Sequence, residues 1–181
     1  MSLIRPATKD DIKDIAEVYV ETWRSTYAGT LPDKVLIEMS QERQMIMWAR
    51  AIDRARNPKS EKILVVEDEA DRVVGVGSAG FNRNREGPAR DIEYGGEVYT
   101  LYILPDFQNQ GLGELLLKGL FHVLVSRDYH SAVIWVLALN PSRFFYEAMG
   151  GKRVGERDEK LWGTTLKEFA YGWDDLRAAV E

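Results

Sequence analysis

Ile12, Ile15, Ala16 and Tyr19 recur at i, i+3, i+4 and i+7, the stripe of an α-helix. Thr8 precedes them as an N-cap, and Asp10 and Asp11 place negative charge in the first turn, where the helix dipole favours it. The pattern predicts a short strand, Leu3-Ile-Arg-Pro6, ended or kept at an edge by its proline, then a helix to about Trp23. Tyr27-Ala-Gly-Thr-Leu-Pro32 interrupts the stripe, and Pro32 opens a second helical stretch. A third helix, Gln41–Ala55, carries Met45, Trp48, Ala49 and Ile52 on one side and stops at Asn57-Pro58. From residue 62 the texture turns β-rich. Ile63–Glu67 and Arg72–Phe81, joined by the acidic turn Glu67–Asp71, read as a hairpin. Gly75, Gly77 and Gly80 in its second strand predict close approach of a neighbour. Asn82–Arg90 is a polar loop, and Glu97–Leu104 is the next strand, ending at Pro105. Gly111–Arg127 is an amphipathic helix with Leu112, Leu115, Leu116, Leu120, Val123 and Leu124 on one stripe. Ser131–Leu139, apolar almost throughout, predicts a buried strand. Pro141–Met149 predicts a short helix stopped by Gly150-Gly151, and strands near Lys152–Glu156 and Lys167–Trp173 close the chain. No repeat, low-complexity run or linker divides residues 1–181, so one domain is expected.

Composition narrows the function classes. Apolar residues make up 45% and charged residues 29%, ordinary for a globular protein that needs no staple. Cysteine is absent, which excludes a disulfide scaffold, a thiolate nucleophile and Cys-ligated metal, and fits a cytoplasmic location. The start lacks a continuous apolar stretch, and no run reaches membrane-spanning length, so neither a signal peptide nor a membrane partner is expected. A net charge of −5 with no basic block argues against nucleic acid and favours an amine-bearing substrate. His122 and His130 have no partner motif, so no metal is expected.

The candidate chemistry lies between the fourth strand and the leucine-striped helix. Gln108-Asn109-Gln110-Gly111-Leu112-Gly113 opens that helix, where unpaired backbone N–H groups and the dipole can receive a phosphate. Gly111 and Gly113 would permit approach that a Cβ would obstruct. A nucleotide P-loop is excluded because no G-x-x-x-x-G-K-[ST] exists. The dinucleotide fingerprint fails because its third glycine would fall at Leu116. Gln108-x-x-Gly111-x-Gly113 resembles the Q/R-x-x-G-x-G/A signature of the GCN5-related N-acetyltransferase (GNAT) family. Glu97-Val-Tyr-Thr-Leu-Tyr-Ile-Leu-Pro105 before it is similar to that family's fourth strand. Asn140-Pro-Ser-Arg-Phe-Phe-Tyr-Glu-Ala-Met-Gly-Gly151 matches its second signature in order and spacing. Trp23-Arg-Ser-Thr-Tyr27 and Glu168-Phe-Ala-Tyr-Gly-Trp173 extend the resemblance over nearly the whole chain.

The resemblance implies an α+β fold with a mixed, mostly antiparallel sheet of about seven strands, four to five helices and splayed central strands. It implies acetyl transfer from acetyl-CoA to a primary amine of a small molecule or peptide, by direct attack in a ternary complex. A non-catalytic acyl-CoA-binding sensor is the alternative. Backbone groups of Leu101, Tyr102 and Ile103 would hold the pantetheine arm and polarise the acyl carbonyl. The Gln108–Gly113 amides would hold the diphosphate, and Asn140 would bond the pantetheine amide, with a strand-ending turn before Pro141 as its alternative. Tyr146 would protonate the departing thiolate; its alternative is a tyrosine packed in a wall. The base would be Glu97, acting through water, with nearby Glu93 as its rival, or no residue; an exposed strand-end carboxylate is the alternative for either. Strand alternation puts Glu97, Tyr99, Leu101 and Ile103 on one face. Trp23 and Tyr27, at a helix end, would border the acceptor, with core packing as the alternative for Trp23. Arg143 reads as a solvated helix residue. The acceptor's identity and the oligomeric state stay open, a homodimer through the late strands being one arrangement.

Overall fold

The computed structural model describes residues 3–83, 93–161 and 163–181. Its seven strands are β1 (Leu3–Pro6), β2 (Lys62–Glu67), β3 (Val73–Phe81), β4 (Gly96–Ile103), β5 (Ala132–Leu137), β6 (Lys152–Leu161) and β7 (Thr164–Trp173). They form one mixed sheet in the order β1-β2-β3-β4-β5-β7-β6. The β1/β2, β2/β3, β5/β7 and β6/β7 pairs are antiparallel. β4 and β5 are parallel, registered from Gly96–Ala132 to Val98–Ile134, and β4 runs on to Ile103. This is the mixed seven-stranded α+β fold expected. Helices α1 (Ile12–Tyr27), α2 (Asp33–Ile37), α3 (Gln41–Arg54), α4 (Leu112–Val125) and α5 (Ser142–Ala148) match the five predicted stretches, and a short α6 (Leu176–Val180) adds a sixth. Among the described residues no helix is long and apolar enough to cross a membrane. The predicted loop Asn82–Arg90 lies largely outside the described residues.

Contacts cluster into two units, Met1–Ala79 with Thr100–Leu120, and Gly80–Tyr99 with Phe121–Glu181. In the first, Ile15 and Val18 of α1 and Trp48, Ala51 and Ile52 of α3 pack on Ile63, Val65, Val73 and Val76. The other sheet face receives α4. A Cβ on Gly77 would lie 2.7 Å from Leu120 Cδ1, and one on Gly119 would lie 3.1 Å from Ile4 Cδ1, so both glycines set the helix–sheet spacing. The buried stripe of α4 is wider than expected. Leu117 and Phe121 are fully buried, whereas Leu115 is exposed, because the helix packs along two adjacent rows rather than one.

α1 also departs from its predicted boundaries. Thr8 caps a 3₁₀ turn, Lys9–Asp11, that leads into the α-helix, and its N–H donates to Asp11 Oδ2 at 2.7 Å. The helix continues to Tyr27, which is buried, rather than ending at Trp23.

In the second unit β6 and β7 are each ten residues long and pair from Lys152–Gly172 to Leu161–Thr164, well beyond the predicted strands. The charged alternation of Arg157-Asp-Glu-Lys160 hides a strand from a hydrophobic reading, because neither face there needs to be buried. Gly150, at φ +85°, ends α5, with Gly150 N–H donating to the Glu147 carbonyl and Gly151 N–H to that of Tyr146. Gly151 has no room for a side chain, since a Cβ would lie 2.8 Å from the Trp173 ring.

Candidate active site

The chain leaves β4 through a 3₁₀ turn, Pro105–Phe107, and enters α4 at Leu112. Asn109 (φ 59°) and Gly111 (φ 80°) both adopt the left-handed conformation. Reversing the backbone at these two positions brings successive N–H groups towards one side, the concavity that receives anions. Helix geometry leaves the first-turn amides of α4 without intrahelical acceptors, the first described bond being Leu115 N–H to the Gly111 carbonyl. A Cβ on Gly111 would meet no protein atom within 4 Å, so the glycine answers to backbone conformation and to whatever lies on the turn. The Gln108 side-chain amide donates to the Ile103 carbonyl at 3.0 Å, and that of Gln110 to the Asp106 carbonyl at 3.1 Å. Both glutamine side chains are therefore engaged within the loop, and the group this turn presents outward is its main chain.

The face expected for β4 is corrected. The ring of Tyr99 lies against Gly80, and its hydroxyl bonds the Phe81 carbonyl. The adjacent Thr100 hydroxyl bonds Ser78 at 2.7 Å. Ser78 and Gly80 point to the same side of β3, so Tyr99 and Thr100 share a face and alternation breaks between them, as in a β-bulge. Glu97 and Tyr99 thus lie opposite to Leu101 and Ile103. Tyr102 packs on Tyr19 of α1, while Ile103 lies against Gly75. The main chain reverses with the side chains. Gly96 N–H donates to the Ser131 carbonyl just before β5, but Leu104 N–H donates to Val74 of β3. By alternation, Tyr102 spends its backbone groups towards β3, whereas those of Leu101 and Ile103 point away from it. The Ile103 carbonyl accepts from Gln108, with the Thr22 hydroxyl at 3.4 Å.

On α1, Trp23 and Tyr27 belong to an aromatic series. Tyr27 and Trp23 are 4.8 Å apart, Trp23 and Tyr19 are stacked at 5.8 Å, and Tyr19 meets Tyr102 edge-on at 5.4 Å. Tyr27 is the last residue of α1, where the loop begins: it is buried, and its carbonyl accepts the Thr30 and Leu31 N–H groups; Trp23 is half-buried. Burial, then the nearby Tyr102 and Tyr27, pushes the Tyr19 hydroxyl well above its ordinary pKa. Sequence reasoning assigned Tyr19 to the core stripe; its spacing of four from Trp23 was the available signal.

In the second unit Glu97 is 7% exposed, and its Oε2 accepts the Arg83 backbone N–H at 2.8 Å. It is a buried, held carboxylate rather than an exposed strand end. Arg83 also lays its guanidinium 3.5 Å from the Tyr99 ring centre, a contact that motif reading missed. Glu93 is exposed. Asn140 accepts the Ser142 N–H on its side-chain oxygen at 2.8 Å, a local turn that starts α5. Tyr146 is 4% exposed, with ring neighbours Phe145, Tyr171 and Trp173 at 5.4, 6.2 and 6.4 Å. Arg143 lies over Phe144 at 4.4 Å. Both histidines are exposed, and among the described residues no group of three or more His, Cys, Asp or Glu could hold a metal ion.

The FR47-like protein family matches residues 90–162. The uncharacterized N-acetyltransferase YuaI of Bacillus subtilis (strain 168) is 36% identical over 179 residues, covering 98% of this chain and 96% of that protein. Among solved structures, the PaiA N-acetyltransferase of Thermoplasma acidophilum, in complex with coenzyme A, is similar with a TM-score of 0.69. Its identity is 18%, over 93% of this chain and 98% of that one. YncA of Salmonella typhimurium, solved with acetyl-CoA, has a TM-score of 0.67 at 21% identity, over 97% of this chain and 94% of that one. Identity at the level of the Bacillus relative, sustained over nearly the whole length, makes this chain a member of the GCN5-related N-acetyltransferase family, an acetyltransferase.

Proposed function

We propose that residues 1–181 act as one catalytic domain that transfers the acetyl group of acetyl-CoA to a primary amine of a small molecule or peptide. The amine would attack directly in a ternary complex. The observation that carries this reading is the turn after β4, where left-handed Asn109 and Gly111 gather backbone amides at the mouth of α4. Those amides, from Asn109 to Gly113, would bind the diphosphate; the Gln108 N–H, expected among them, is spent on the Pro105 carbonyl, and Leu112, buried at the start of α4, anchors the turn. Of the three β4 residues, Leu101 and Ile103 have backbone groups directed away from β3. Their N–H groups suit the pantetheine arm and the developing negative charge on the acyl oxygen. Tyr102 supports the site through its ring on Tyr19 rather than through its main chain.

In the reaction the amine nitrogen bonds the acyl carbon, the carbon–sulfur bond breaks, and the thiolate takes a proton from the Tyr146 hydroxyl. The proton lost by the amine would pass through water to Glu97, whose carboxylate is buried and held by Arg83 N–H. Asn140, fixed by its bond from Ser142, would accept or donate to the arm. The ring series from Tyr27 through Trp23 to Tyr19 and Tyr102 suits an alkylammonium or apolar amine substituent. On this reading the enzyme acts in the cytoplasm, and no metal has a role.

The test is purified protein with acetyl-CoA and a panel of amines, following thiol release, beside calorimetry with coenzyme A. Turnover on at least one amine is expected. Gly111→Val should lose coenzyme A binding by tenfold or more, as a rough measure, because a β-branched residue resists φ +80° and projects onto the turn. Unaltered binding by that variant would overturn the placement of the diphosphate.

A further inference from the structure

We infer that Gln108 is a positioning residue whose side-chain amide holds the phosphate turn at a fixed distance from the strand end that receives the thioester arm. The inference rests on the cofactor reading above. Its basis is one bond: Gln108 Nε2 donates to the carbonyl of Ile103, the last residue of β4, at 3.0 Å. The main chain between them makes its own short turns, Phe107 N–H to the Leu104 carbonyl and Gln108 N–H to that of Pro105. These stiffen the loop locally without fixing its angle to the strand. The side-chain bond closes that gap. Gln110, bonded to Asp106, stiffens the same loop a second time from within.

The bond has an electrostatic consequence. The Ile103 carbonyl points away from β3, along the edge where the Leu101 and Ile103 N–H groups are available. An uncapped carbonyl there would oppose the negative charge that develops on an acyl oxygen. Gln108, with Thr22 at 3.4 Å, turns that oxygen to internal donors and leaves the edge dominated by N–H groups. A ligand gripped at two points gains affinity from their fixed separation, so loosening the strut should weaken the whole ligand more than either half.

The test compares Gln108→Leu, which removes the donor, with Gln108→Arg, which keeps one, and Gln108→Glu. Calorimetry measures coenzyme A, and competition measures its nucleotide half, 3′-phosphoadenosine 5′-diphosphate. Wild-type binding of coenzyme A is measured first, and its absence would sink the cofactor reading together with this one. Given that binding, Gln108→Leu should weaken coenzyme A about two- to tenfold, the span of one neutral hydrogen bond, and lower kcat. Its affinity for the nucleotide half should stay within about twofold, and Gln108→Arg should restore both coenzyme A affinity and kcat. Gln108→Glu sets a carboxylate against the carbonyl. Its deficit relative to wild type should be largest near pH 8 and narrow as pH falls towards the carboxyl pKa, where the protonated side chain can donate. Equal loss on both ligands would mean that Gln108 shapes the turn itself, and would overturn the strut. Unchanged coenzyme A binding in Gln108→Leu, no rescue by Arg, or a pH-independent Glu deficit would do the same.

Discussion

Tyr146 packs its ring among Phe145, Tyr171 and Trp173, and this cluster would survive removal of the hydroxyl. Tyr146→Phe therefore separates chemistry from packing. Turnover should fall by about 10²-fold or more, the usual worth of a positioned acid, with coenzyme A affinity within about threefold. Steady-state thiol release beside calorimetry would show this, and an unchanged kcat would remove Tyr146 from the mechanism. Tyr171 and Trp173 have other tasks: the Tyr171 hydroxyl donates to Glu147 at 2.8 Å, and the Trp173 indole donates to the Met149 carbonyl at 2.9 Å. Both tie β7 to α5 and so fix where Tyr146 stands.

Elements are held by charge as well as by burial. Arg5 of β1 makes two 2.8 Å bonds to the Asp11 carboxylate and further bonds to Glu67 of β2, at 2.8 and 2.6 Å. This joins two strands to the turn that starts α1. Burial raises the Asp11 carboxyl. The hydrogen bonds from Arg5 and the Thr8 backbone, with the Arg5 charge, more than offset it and hold the group below the ordinary carboxylate range. A depressed folded pKa stabilises the fold above the unfolded pKa of about 3.9, and that contribution is lost as pH falls through the folded value. Asp11→Asn should cost about 1–3 kcal/mol near pH 7, the scale of hydrogen bonds to charged groups. Its deficit in urea unfolding should shrink below about pH 4. A deficit independent of pH would show that packing alone, rather than ionisation, matters at Asp11. At the same scale, the broken alternation of β4 assigns different work to neighbouring residues. Glu97 and Tyr99 serve one face, and Leu101 and Ile103 the other.

At the scale of the molecule, the proposed ligand should act as a stabiliser. Coenzyme A at about a hundredfold over its Kd would contribute about 2.7 kcal/mol by mass action. At this chain length that corresponds to a rise in Tm of roughly 5–10 °C. Differential scanning calorimetry should show one transition moving as a whole. Two transitions, with only one responding, would show that the chain does not work as one cooperative domain.

Much of the molecule was legible in the residues alone. The stripes of α1, α3 and α4, the apolar run of β5 and the glycine-marked end of α5 depend on local periodicity and turn chemistry, which a linear string records. So does the glycine turn at residues 108–113, because a positive φ at Gly111 leaves a local signature. The chain alone also carried the two motifs by which its family is known. Other features arise only when distant segments meet. The face reversal in β4 shows only against Ser78 and Gly80 on another strand, the raised pKa of Tyr19 arises from its burial beside Tyr102, and the carboxylate of Glu97 is held by the backbone of Arg83. The length of β6 and β7 was hidden because their charged residues carry no hydrophobic alternation, and pairing between them is non-local. Periodicity and turn preference act between neighbours in sequence, whereas burial, register and hydrogen-bond partners act between neighbours in space. For that reason the elements and their order could be read from the chain, while the direction in which each site group points was decided by the tertiary structure.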